Sequence, residues 1–114
     1  MLLHGVDIVK IERIEKLVER YGRKFLSRFF TNNEIEFCFK RKDYLSSLAV
    51  RFAAKEAAYK AYPSGEVRSV AEFSVKIDSS GKPILLFRGE PVPGSSLALS
   101  HTRDVAVASV IILK

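Results

Sequence analysis

Ile11, Ile14, Leu17, Val18 and Tyr21 recur at the three- and four-residue spacing of a helix with one buried stripe. They predict a helix from Ile11 to about Tyr21, with Gly22 as its stop. Ahead of it, Leu2 to Val9 is a short apolar run interrupted by Gly5 and Asp7, and it predicts a strand. Phe25, Phe29 and Phe30 suggest a further helical turn or two. Thr31-Asn32-Asn33-Glu34 has capping-box form: Thr31 takes a free helix amide and Glu34 reaches back. The helix it opens carries Ile35, Phe37, Cys38 and Phe39. Tyr44 to Tyr62, rich in alanine, leucine, lysine and glutamate, predicts the longest helix, ended by Pro63-Ser64-Gly65.

The period then changes to two. Phe73, Val75 and Ile77 alternate with Ser74, Lys76 and Asp78, the pattern of a strand with one buried face. Ser79 to Lys82 is a turn, and Pro83 to Phe87 returns as the second strand of a hairpin. Gly89 to Gly94 reads as loop. Leu97 to His101 and Val105 to Leu113 predict a second hairpin across Thr102-Arg103-Asp104. Nearly every position of the last strand is apolar, as in strands covered on both faces. A helix on one face and another subunit on the other are the expected covers. The fold class is α/β (α+β), with a long helix packed on a small antiparallel sheet.

A length of 114 residues implies one domain, 1–114, and no repeat, linker or low-complexity tract divides it. With 47% hydrophobic residues the chain has a core to bury, which excludes a disordered segment. No run approaches the roughly 18 apolar residues of a membrane span. Met1 to Asp7 lacks the basic and apolar regions of a secretory signal, so a cytoplasmic location is expected. The single cysteine, Cys38, excludes an internal disulfide and a Cys-rich zinc site, and is expected in the core. The net charge of +6 calls for an anionic partner: nucleic acid, a nucleotide, a membrane surface or an acidic protein.

Candidate chemistry concentrates in Arg51-Phe52-Ala53-Ala54-Lys55-Glu56-Ala57-Ala58-Tyr59-Lys60. On a helix Phe52, Glu56 and Lys60 share a face, and Arg51 and Lys55 form an adjacent stripe. Glu56 and Lys60 read either as an exposed helix pair or as a carboxylate and an ammonium offered to a metal–phosphate ligand. Asp7 either ends its strand and caps the following helix, or joins Glu56 as a second hard oxygen ligand for a cation such as Mg²⁺. His101, at a strand end, is either a surface residue or part of a site. Arg13, Arg20, Arg23, Lys24 and Arg28 form either a solvated face or a docking surface. Phe25, Phe29 and Phe30 beside basic residues admit an alternative: a small basic nucleic-acid- or nucleotide-binding module without catalysis.

Gly5-Val6-Asp7, the Arg51 to Ala57 segment with Lys60, Gly81-Lys82-Pro83 and Ser100-His101 occur in this order along the whole chain. In that ordered set the chain resembles the small 4′-phosphopantetheinyl transferases of the holo-[acyl-carrier-protein] synthase type. The resemblance implies that family's α/β fold and a homotrimer with active sites between subunits. It also implies Mg²⁺, coenzyme A as donor, and apo acyl carrier protein, rather than nucleic acid or membrane, as partner. By the same resemblance Asp7 and Glu56 bind Mg²⁺, and Glu56 also orients or deprotonates the attacking hydroxyl, either directly or through a metal-bound water. Lys60 contacts the pyrophosphate, Arg51 and His101 lie around the nucleotide phosphates, and Arg13, Arg23 and Arg28 dock the carrier.

Overall fold

β1, Leu2–Lys10, and β6, Val105–Leu113, run antiparallel along their full lengths, from Leu2 opposite Leu113 to Lys10 opposite Val105. β5, Ser95–His101, pairs with the other edge of β6, giving the order β1-β6-β5. A computed structural model describes residues 1–114. A second antiparallel sheet holds β2, Phe73–Ile77, β3, Pro83–Phe87, and β4, Glu90–Pro91. The strands are therefore divided between two three-stranded sheets. The Gly89 to Gly94 segment, expected as loop, contributes β4, whose Pro91 sits at a sheet edge where no N–H is needed.

Four helices lie between β1 and the second sheet: α1, Ile11–Tyr21, α2, Arg23–Phe29, α3, Asn32–Phe39, and α4, Tyr44–Ala61. A single 3₁₀ turn, Val70–Glu72, leads into β2. Gly22 ends α1 with φ +50°, and its N–H donates to the Val18 carbonyl at 2.8 Å. Ile11 and Ile14 are buried and Leu17 and Val18 pack on the core, whereas Tyr21 stays exposed, so the buried stripe stops a turn early. The capping box forms in full: the Glu34 N–H donates to Thr31 Oγ1 at 3.1 Å, and the Thr31 N–H donates to Glu34 Oε1 at 3.0 Å.

Alternation along β1 and β6 sorts their side chains onto two faces. Leu3, Val9, Ala106, Ala108, Val110 and Ile112 turn inward onto α4 and are buried. α4 meets them with Ala53, Ala54, Ala57, Ala58 and Ala61, small enough for helix and sheet to lie close. The closest approach is at Gly5, where an added Cβ would land on the Ala57 carbonyl oxygen. The other face presents Leu2, Val6, Ile8, Ile111 and Leu113 to solvent. Within one chain, then, α4 covers one side of the apolar last strand and nothing covers the other.

Candidate active site

Asp7 follows Gly5 by two residues, so its side chain projects from the same, α4-facing side of β1 on which Gly5 meets Ala57. There Lys60 Nζ donates to Asp7 Oδ1 at 2.7 Å and to the Val6 carbonyl at 3.3 Å. Asp7 is enclosed, its side chain 10% exposed, while that of Lys60 is 55% exposed. The capping alternative for Asp7 is thereby excluded: the N-cap of α1 is Lys10, with no side-chain cap bond. The exposed Glu56–Lys60 helix pair is likewise absent, because the ion-pair partner of Lys60 is Asp7.

Glu56 sits one turn before Lys60, half-buried. Burial raises its carboxyl above the ordinary glutamate range and the Asp7 charge raises it further; Arg13 and Lys60 pull the other way. Asp7 and Glu56 are hard oxygen donors from separate elements whose charges disfavour one another. A divalent cation between them would relieve that repulsion. No group of three or more potential ligand side chains forms, so water and substrate phosphate would complete the shell, the usual habit of Mg²⁺. The residues present therefore fit such an ion.

Arg51 and His101 line a different cavity, of about 400 Å³, together with Phe37, Arg41, Ser47 and Gly81. Arg51 precedes Glu56 by five residues, which turns its side chain roughly 140° away around α4. It is buried; its Nη1 donates to the Ser47 carbonyl at 3.0 Å and to Ser47 Oγ at 2.8 Å, and the Phe37 ring lies 4.5 Å from the guanidinium carbon. Its Nε is buried without a hydrogen-bond partner, and the residue borders a cavity that also carries Arg41, His101 and Asp43. His101 ends β5, exposed, with Nδ1 3.0 Å from the Thr102 carbonyl oxygen. The five candidate residues thus fall into two groups on one chain: Asp7, Glu56 and Lys60, and Arg51 and His101.

Arg13, Arg23 and Arg28 are all exposed along α1 and α2. Arg13 lies over the Phe52 ring at 5.6 Å and its charge reaches Glu56. Arg28 flanks an open groove of about 520 Å³ between α1 and α2, shared with Leu17, Tyr21, Lys24, Phe25 and Phe29. Phe25 and Phe30 are buried and join Phe29 and Phe52 in one aromatic cluster, with ring centres 5.5–6.4 Å apart. These rings pack the core, which removes the stacking platform on which the nucleic-acid alternative rested.

One feature of the segment escapes helical spacing. Lys55, expected in a stripe beside Arg51, is fully buried and paired with Glu34 at 2.5 Å. The signal available for it was the capping box, which placed Glu34 at the start of a helix but gave no hint of a second partner.

The profile of the 4′-phosphopantetheinyl transferase superfamily matches residues 4–110. The chain is 44% identical to the holo-[acyl-carrier-protein] synthase of Chloroherpeton thalassium over 95% of its length and 94% of that protein. It is 39% identical to that of Leptospira biflexa, covering 100% and 98%. Among solved structures, Helicobacter pylori holo-[acyl-carrier-protein] synthase in complex with coenzyme A superposes with a TM-score of 0.80 at 34% identity, covering 95% of this chain and 97% of that one. The Neisseria meningitidis holo-[acyl-carrier-protein] synthase gives 0.83 at 30% identity, covering 98% of each.

Proposed function

This chain belongs to the 4′-phosphopantetheinyl transferase superfamily, and we propose that it makes holo acyl carrier protein from the apo form and coenzyme A. The 4′-phosphopantetheine arm passes to a serine of the carrier. The serine oxygen bonds to the β-phosphorus, the bond from that phosphorus to the bridging oxygen breaks, and adenosine 3′,5′-bisphosphate leaves. The observation that carries this reading is the convergence of Asp7, Glu56 and Lys60 at one spot from two separate elements.

Asp7 and Glu56 are the residues that would hold Mg²⁺, which when bound neutralises charge on the pyrophosphate and its leaving group. Lys60 supplies a fixed positive charge to the pyrophosphate. Glu56, kept weakly acidic by burial and by Asp7, is suited to orient the serine hydroxyl and take its proton. Arg51 and His101 hold the nucleotide phosphates; the cavity they line together with Arg41 supports this assignment.

The two groups of residues face different sides of α4, which supports sites completed between neighbouring copies. The uncovered apolar face of β1 and β6 supports the same homotrimer. Arg28 beside the α1–α2 groove, together with the exposed Arg13 and Arg23 on the same two helices, presents positive charge to an acidic face of the carrier. No helix is long and apolar enough to cross a membrane, and we place the reaction in the cytoplasm.

Mass spectrometry of apo acyl carrier protein after incubation with the enzyme, coenzyme A and Mg²⁺ tests the reading. The expected gain is about 340 Da, the mass of a transferred phosphopantetheinyl group. It disappears when the metal is omitted and in the Asp7→Asn and Glu56→Gln variants. An unchanged carrier mass with the wild-type protein overturns the transferase assignment; full transfer by either variant overturns the metal-ligand assignment.

A further inference from the structure

Glu34 and Lys55 form an ion pair that the chemistry above leaves unused. Their side chains are 1% and 0% exposed. Lys55 Nζ donates to Glu34 Oε1 at 2.5 Å and to the Phe73 carbonyl at 2.8 Å, and lies 5.1 Å from the Phe30 ring centre. Glu34 Oε2 accepts the Val75 N–H at 2.9 Å, and Oε1 also accepts the Thr31 N–H at 3.0 Å. One pair of charges thus joins α3, α4 and β2, and every polar atom in it is satisfied.

Stability alone does not explain such a pair. Taking two charges out of water is costly, and apolar side chains of similar size often hold an interior equally well. Directed bonds add a different property. Sliding or rotating α3 on α4 would break several of them at once, whereas an apolar contact tolerates small shifts.

The residues one turn along show what is being placed. Phe37 follows Glu34 by one turn on α3, and Arg51 precedes Lys55 by one turn on α4. The Phe37 ring lies against the Arg51 guanidinium, and both line the cavity that includes His101. Ser47 on α4 holds the Nη1 end of Arg51, and Phe37 on α3 lies against the guanidinium face, so the placement of that group at the cavity also depends on how α3 sits on α4.

We propose that Glu34 and Lys55 are positioning residues for the phosphate-binding cavity: by fixing α3 on α4 they set the Phe37 ring against Arg51 and aim its guanidinium at the coenzyme A phosphates. This rests on the assignment of Arg51 to those phosphates. Neither Glu34 nor Lys55 touches the ligand.

The test is the neutral double variant Glu34→Gln/Lys55→Met, which keeps side-chain volume and an acceptor for the Thr31 amide. Calorimetric titration with coenzyme A, steady-state kinetics and thermal melting are measured for it, for Arg51→Ala and for the triple variant. The double variant is expected to lose about tenfold in coenzyme A affinity, with a matching rise in KM and less than a twofold change in kcat. In the Arg51→Ala background the same change should cost less than twofold, since no guanidinium is left to aim. Wild-type affinity in a folded double variant overturns the proposal, as does an equal loss in both backgrounds. Should the double variant fail to fold, Phe37→Leu removes the ring and leaves the ion pair intact; wild-type affinity there overturns the proposal as well. Wild-type affinity in Arg51→Ala instead removes the assignment of Arg51 on which the proposal rests.

Discussion

Lys60 on α4 and Asp7 on β1 form a 2.7 Å ion pair across 53 residues of sequence. The pair is asymmetric: Asp7 is enclosed and Lys60 largely solvated. An ammonium so exposed adds little to stability, because water and salt screen it. It remains free to swing toward a pyrophosphate placed beside Asp7. Lys60→Met is therefore expected to lower kcat/KM for coenzyme A by about a hundredfold while moving the melting temperature by less than about 4 °C. Steady-state assays and a thermal melt check both halves, and a large drop in melting temperature would show that the lysine is mainly structural.

Gly5 governs whether that pair forms at all. A methyl group there meets backbone, the Ala57 carbonyl, and backbone cannot rotate aside as a side chain can. Relief requires β1 and α4 to separate, which also draws Asp7 from Glu56 and Lys60. Gly5→Ala is expected to cost at least about 2 kcal/mol, the range of overpacked cores, and to depress activity further than the loss of folded protein explains. Urea denaturation compared with activity per folded molecule measures the two effects separately.

Much of this architecture is legible in the sequence where the signal is local. The α1 stripe, the Gly22 stop, the Thr31–Glu34 box and both hairpins follow from spacing and turn chemistry within a few residues. What spacing misses is long-range. The Asp7–Lys60 and Glu34–Lys55 pairs join positions 53 and 21 residues apart, and each lysine looks like an ordinary solvated residue of a helix. The same holds for β4, two residues whose pairing is set by β3 and not by any periodicity of their own. Candidate site residues were found through the ordered motif set, and only the fold shows that they divide between two sides of α4.

Glu56 links the site to pH. Its carboxyl is raised by burial and by Asp7, so the folded chain holds this proton above the pH at which the unfolded chain releases it. Its contribution to stability is therefore full below the unfolded value and falls as pH rises through the raised one. The difference between wild-type and Glu56→Gln stability curves should show this fall on the high-pH side of the ordinary glutamate range. By carboxyl NMR titration, Asp7→Asn should move Glu56 toward lower pH, and Arg13→Ala should move it higher. Shifts of opposite sign would contradict the electrostatic account.

The basic face of α1 and α2 gives a prediction about the carrier. Exposed arginines act chiefly by speeding encounter, and salt screens them. Reversing Arg13 and Arg23 to glutamate is expected to raise KM for apo acyl carrier protein at least tenfold at low salt. The gap from wild type should narrow as ionic strength increases, with KM for coenzyme A changed less than twofold. An unchanged carrier KM would remove this docking surface.

The division of the site leads to the sharpest test of assembly. If Asp7, Glu56 and Lys60 of one copy work with Arg51 and His101 of a neighbour, no isolated chain is active. Ile111, on the uncovered face of β6, then lies where a neighbour packs. Ile111→Glu places a charge in that contact without touching the α4-facing core. It should yield a folded monomer by light scattering and circular dichroism, with transfer lost. Complementation carries the point further. Lys60→Met and Arg51→Ala each disable every site in a pure trimer. In a trimer reassembled at random from equal amounts, a site has an intact Lys60 half the time and an intact neighbouring Arg51 half the time. About a quarter of the sites should then be whole, and a corresponding fraction of wild-type activity should return on mixing. Two inactive variants that stay inactive after verified subunit exchange would place the Lys60 and Arg51 of each working site on the same copy.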